Sequence, residues 1–177
     1  ALAAVDKEIN NMINLSVWDP PESVLEVWQI RALHPEALIV YAHLLIGYKG
    51  AEITSTAANP NEWIWKCRLV AGGNHLLDVF GSHVRMQGFY GSPVSLDGMR
   101  LVIWWACMNV THVLLQSDVH GAYLQSRLGG AQVFVVLPRR VWPAAWTDMR
   151  QPAVRLRRAL YGLQRSGFDW LKHADKI

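Results

Sequence analysis

Cysteine is scarce in this chain, with two residues of 177, Cys67 and Cys107. That excludes a disulfide framework, and their wide separation excludes a structural zinc site, which needs four ligands at short paired spacings. Both are read as reduced core thiols of an intracellular protein. Charge is also low, at 18% against 51% hydrophobic, which excludes a disordered tail and leaves a single folded unit over residues 1–177. Long apolar runs are missing too. The longest uncharged stretch, Leu101–Ser117, carries Asn109, Thr111, His112 and Gln116, so it is both short and polar for a membrane span. The opening ALAAVDKEIN has no basic segment ahead of an apolar core, so no signal peptide is expected. A cytoplasmic or nuclear protein follows, neither secreted nor membrane-bound. There is no initiating Met and the chain stops abruptly at Ile177, which is read as a fragment.

Two things are plentiful. Tryptophan occurs nine times, which predicts a core built from large planar side chains. Basic residues collect at one end: from Arg139 onward nine basic side chains face three acidic ones, a balance of +6, whereas the first 138 residues balance at −3. Clustered arginine raises the local concentration of anions, a first hint of a phosphate-bearing partner.

Periodicity predicts a short amphipathic helix over Asp6–Leu15, with Ile9, Met12 and Ile13 on one stripe. Val24–Arg31 alternates like a strand, and Ala37–Tyr48 is β-branched and aromatic enough for a buried one. Lys49–Asn61 reads as a surface loop at the tip of a hairpin whose second strand is Glu62–Ala71. Gly72–Pro93 is glycine-rich and irregular. Ser95 or Asp97 caps a helix running to about Met108. A strand HVLLQSDV then ends on Asp118, AQVFVVLP is a further strand, AVRLRRAL another, and Ser166 or Asp169 starts a C-terminal helix. Strands outnumber long helices and helices interrupt them, so the class is α+β, an antiparallel sheet with packed helices.

Three patterns carry chemistry. Asp118 stands at the end of an apolar run, with Tyr123 five residues on. A strand end can hold a carboxylate where Mg2+ bridges to substrate phosphates, although one Asp equally serves as the cap of a turn. Arg155, Arg157, Arg158 and Arg165 surround the tetrapeptide Leu160–Leu163, LYGL, and offer either phosphate contacts or a solvated basic face. Lys66 and Arg68 alternate on a strand and leave by one face, as a triphosphate clamp or as ordinary surface charge.

The blocks WKCRLVAGGNH, YGSPVSLDGMRLVIWWA, LLQSDVHGAYLQSRL, QVFVVLPRR and RLRRALYGLQRSGFDW, in that order, resemble the reverse transcriptase domain of copia-type LTR retrotransposon polyproteins. The likeness runs from about Asp6 to the end and is weakest between Ser16 and Asn61. It implies the fingers and partial palm of a right-hand polymerase, mainly fingers over about 1–94, then the start of the palm and a return to the fingers over about 95–177. It further implies that Asp118 is the first catalytic aspartate and a metal ligand, with the Val119 carbonyl as a second. Tyr123 matches the aromatic residue beneath the sugar that excludes a 2′-hydroxyl. Lys66 and Arg68 match the basic pair that grips the triphosphate, and Gly162, Gln164 and Ser166 the block lying against nucleotide and template.

The implied cofactor of the complete enzyme is Mg2+ or Mn2+, with none expected to stay on this fragment. The implied partners are an RNA or DNA template-primer, a dNTP, and the rest of the Pol polyprotein with its integrase and RNase H. Three departures stand out. Gly167 replaces a usual Pro, and His120 and Gly121 replace Lys and Thr. No two acidic residues are adjacent anywhere in the chain, so the Asp-Asp hairpin that supplies the remaining metal-binding carboxylates is missing. Inactivity of the isolated chain is therefore expected. The competing readings are a non-catalytic nucleic-acid-binding retroelement remnant and a decayed fragment whose exposed palm edge would aggregate.

Overall fold

The apolar runs pack into one five-stranded mixed sheet. The computed structural model describes residues 1–48, 64–86 and 94–176. Five strands, β1 (Leu25–Glu26), β2 (Leu38–Tyr48), β3 (Trp65–Ala71), β4 (Val133–Val136) and β5 (Pro152–Arg155), lie in the order β1-β5-β4-β2-β3. The architecture is α+β, as the pattern of elements predicts. The sheet is not wholly antiparallel: β2 and β4 run parallel, Leu38 opposite Val133 through Tyr41 opposite Val136. A parallel pair needs a crossover, and the long stretch between these two strands supplies one.

Both faces of the central strands are covered. Leu38, Val40, Val133, Val135 and Val154 point to one side, onto Met12 of helix α1 (Leu2–Asn14) and onto Leu160 and Leu163. Ile39, Phe134, Val136 and Ala153 point to the other, onto Val27 and Ile30 of helix α2 (Val27–Leu33). A strand buried on both faces reads as a continuous apolar run, which is why QVFVVLP shows no alternation. Strands from both sides of residue 94 share this sheet and its core.

Several expectations are corrected. The α1 stripe is Val5 and Met12, flanked by Ile9 and Leu15, whereas Ile13 is exposed. Val24–Arg31 is not a strand: after the two residues of β1 it becomes α2. The cause is a capping box, in which Glu26 accepts from the backbone three residues on while the Gln29 side chain accepts from the Glu26 amide at 2.8 Å. Of the tryptophans, Trp18 and Trp146 are buried, but Trp28, Trp104 and Trp105 are exposed. Cys67 is buried and Cys107 is not. The loop expected at Lys49–Asn61 lies outside the described residues.

The hairpin of β2 and β3 is as expected, Ala42 opposite Ala71 through Tyr48 opposite Trp65. So is helix α3 (Leu96–Cys107), where the Ser95 hydroxyl accepts from the Gly98 amide at 3.0 Å. None of α3 is buried. His112–Asp118 forms no strand; His112 stacks on Trp105 at 4.1 Å, and Val113, Leu114 and Leu115 are exposed. Among the described residues no helix is long and apolar enough to cross a membrane.

Candidate functional site

β3 is an edge strand, so its outward amides need partners from elsewhere in the chain. The Leu69 amide faces the Glu8 carboxylate of α1 and favours its charged form, and the Ala71 amide donates to the Tyr161 carbonyl at 2.7 Å. The first approach brings a carboxylate to the strand, the second the LYGL turn. Alternation sends Cys67, Leu69 and Ala71 inward and leaves Lys66 and Arg68 together on the exposed side.

Arg68 lies over the Tyr161 ring, 5.4 Å from its centroid, within cation-π range. Tyr123 meets the same ring at 5.5 Å, tilted by 56°. Tyr123 belongs to the one-turn helix α4 (Ala122–Gln125), which is seated by buried Leu124 and entered through Gly121 at φ 64°. Burial pushes the Tyr161 phenol above its ordinary value; Arg68 opposes this, while Glu8, Tyr123 and Asp118 add to it. Burial likewise raises the Glu8 carboxyl, against the Leu69 amide, Arg68 and His120. Tyr161 is thus the hub, with Arg68, Tyr123, Glu8 and Asp118 all near enough to act on it.

Arg68 and Tyr123, far apart in sequence, meet on the Tyr161 ring, and Asp118 is near enough to raise its phenol. Lys66 stands one step further out on β3. Asp118 and Val119 are both exposed, on an unpaired segment and not at a strand end. Glu8 was missed, and its signal was a carboxylate set between the apolar positions Val5, Ile9 and Met12, beside a buried stripe.

The C-terminal block docks through its backbone. Gly162 has φ 87°, and a Cβ there would strike the Ala71 carbonyl oxygen; one on Gly73 would strike the Gly162 carbonyl oxygen. Gln164 ties two further segments together, donating to the Gly73 carbonyl at 2.6 Å and accepting from the Met86 amide at 2.8 Å. The Ser166 hydroxyl, buried at the start of helix α5 (Ser166–Ala174), donates to the Leu160 carbonyl at 2.6 Å. Arg165, expected at a phosphate backbone, is instead enclosed, with its Nε 2.7 Å and an Nη 2.8 Å from the Asp169 carboxylate.

The other arginines are also partnered. Arg155 and Arg157 both donate through Nε to Asp19, and Arg158 donates to the Gln125 carbonyl at 2.8 Å. Burial would raise the Asp19 carboxyl, but the two guanidiniums outweigh it and hold the group below its ordinary value. A carboxyl with a folded pKa below its unfolded one, about 3.9, stabilises the fold above that value and loses the contribution as pH falls through the folded pKa. Thermal melts of the wild type and Asp19→Asn should therefore differ most near neutrality and converge as the pH falls from about 3.9 through the lower pKa of the folded state. A gap that stayed constant through that range would refute the ion-pair account.

Among the described residues no three His, Cys, Asp or Glu side chains converge as a metal site. Asp118 and the Val119 carbonyl do not by themselves fit a centre of two divalent ions about 4 Å apart, whose mutual repulsion needs several carboxylates to offset it. Family models, curated proteins and solved structures contain no match to this chain.

Proposed function

We propose that this chain is the fingers and first part of the palm of a copia-type RNA-directed DNA polymerase, and that it binds a deoxynucleoside triphosphate without extending a primer by itself. One observation carries the reading. Arg68 and Tyr123 meet the ring of Tyr161 in the LYGL turn and Asp118 is near enough to raise its phenol, so residues that the resemblance assigns to a single nucleotide site gather on one side chain.

In that site Arg68 is the cation for the triphosphate, Lys66 extends the positive strip toward the Tyr48–Trp65 end of the hairpin, and Tyr123 is the plane on which the sugar rests. A rigid ring discriminates by fit, because an added 2′-hydroxyl has no room to move into. Gly162 contributes by letting the LYGL backbone approach β3. Mg2+ would neutralise the triphosphate and activate the attacking hydroxyl in a complete site. No step through it is assigned to this chain, since its donor set does not hold the pair of ions.

The reading also accounts for a feature that is otherwise costly. Leu101–Val119 carries many large apolar side chains in the open, with no strand pairing among the described residues. In a whole palm the segment leading to Asp118 would pair with the Asp-Asp hairpin.

Equilibrium binding of labelled dTTP with Mg2+ tests the proposal. Arg68→Ala is expected to weaken binding about tenfold, the value of one charge-assisted contact. Tyr123→Ala is expected to bring the ribonucleotide up to the affinity of the deoxynucleotide. Wild-type protein that binds neither nucleotide, or binds both equally, would sink the assignment. Primer extension that is abolished by Asp118→Asn would instead overturn the claim of inactivity.

A further inference from the structure

A cleft of ≈ 480 Å³ opens where residues 127–132 pass the ends of β4 and β5, lined by Arg127, Arg155, Arg157 and Arg158 together with Gly130 and Gln132. Four arginines line it. Asp19 is the carboxylate paired with two of them, so the group keeps a formal charge of +3. Arg155 and Arg157 reach Asp19 through Nε, which leaves their Nη donors outside that bond. Arg158 is steadied by the Gln125 carbonyl, and Arg127 is in no ion pair among the described residues.

Holding like charges together in one recess is unfavourable unless an anion shares it. A guanidinium presents a planar fork of donors that matches the oxygens of a phosphate, and several arginines around one recess suit an anion that can accept from more than one of them. The open mouth and half-exposed arginines suit a ligand that arrives from solvent and keeps part of its hydration.

We propose that this cleft is a phosphate-binding site. Its ligand is a phosphate group, borne either by a polynucleotide or by a small free phosphate compound. The inference draws in Arg127, which the sequence pattern did not single out, and leaves out Arg165, which is enclosed. It shares no residue with the Tyr161 cluster, so it stands whether or not that cluster binds a nucleotide.

Calorimetric titration with inorganic pyrophosphate at low ionic strength is the direct test. Wild-type protein is expected to bind, and Arg127→Gln and Arg158→Gln are each expected to weaken binding about tenfold. Arg140→Gln, an exposed arginine outside the cleft, is expected to leave it unchanged. Melting curves of each variant establish that it is folded, and Arg127→Gln keeps the test decisive if Arg158→Gln is not. A second arm uses a labelled single-stranded oligonucleotide. Binding that pyrophosphate competes away identifies the polymer as the source of the phosphate; pyrophosphate binding without oligonucleotide binding identifies a free compound. No pyrophosphate binding, or equal weakening by Arg140→Gln, overturns the proposal.

Discussion

Asp169→Ala is expected to lower the melting temperature by roughly 10 °C. The Arg165 and Asp169 side chains are only 7% and 5% exposed, and their paired hydrogen bonds form a closed fork in the interior. The Gly129 amide lies 3.4 Å from the same carboxylate. Deleting the acid strands a charged guanidinium away from water, which costs about 3–5 kcal/mol. In a protein of this size each kcal/mol moves the midpoint by about 2–4 °C. Packing leaves the guanidinium no ready exit, since a Cβ on either Gly129 or Gly130 would meet Arg165. Replacing both partners together, as Arg165→Met with Asp169→Leu, is expected to cost far less, because no buried charge remains. Calorimetry decides: a fall below about 3 °C for the single variant would mean that water reaches the pair.

Gly162→Ala is the second large effect. At φ 87° a side chain already costs about 1–2 kcal/mol. Here the added methyl would also meet the Ala71 carbonyl oxygen and the Val70 side chain, so β3 and the LYGL turn must separate. Gly81 is the internal control. It has the same φ of 87° but open space around the position, so Gly81→Ala should show the conformational cost by itself. Urea denaturation is expected to place Gly162→Ala at least about 2 kcal/mol below Gly81→Ala, the difference being backbone displacement. The same separation would move Tyr161 away from Arg68 and the Ala71 amide from its acceptor. Loss of dTTP binding should therefore accompany whatever folded fraction remains. Equal destabilisation by the two substitutions would mean that the close approach of the two segments contributes nothing.

Much of the strand framework was legible because burial repeats with the local geometry of the backbone. Ala37–Tyr48, Glu62–Ala71 and the VFVV core of β4 are apolar enough that little but a sheet interior would take them, and they became β2, β3 and β4. Ser95 before LDGM was a sufficient helix start. The failures are instructive. Val24–Arg31 has the composition of a strand, and the capping contact between Glu26 and Gln29 outweighed it; the spacing was visible, but its energetic weight depended on β5. Glu26 is also held by the Arg150 and Gln151 amides at 2.7 and 2.8 Å, more than a hundred residues away. His112–Asp118 failed in the opposite sense, since an apolar segment becomes a strand only beside another strand.

The candidate site divides along the same line. Residue types, their spacing and the exposed face of Lys66 and Arg68 were readable, since alternation on a strand is a local rule. That Arg68 would lie on Tyr161, with Glu8 and Asp118 alongside, depended on how α1 and the LYGL turn met an edge strand. The basic C-terminal segment makes the contrast sharper. Its charge count was evident from composition, but composition treats all of its arginines alike. Folding buried Arg165 against a carboxylate four residues along the helix, bound Arg155 and Arg157 to Asp19 across 136 and 138 positions, and left Arg127 to join the cleft. The sequence by itself determined the apolar strands, the α+β class and the supply of cations and carboxylates. Which charges are neutralised and which still face solvent was decided only by the tertiary structure, because a charge is cancelled by whatever stands a few ångströms away, however distant in the chain.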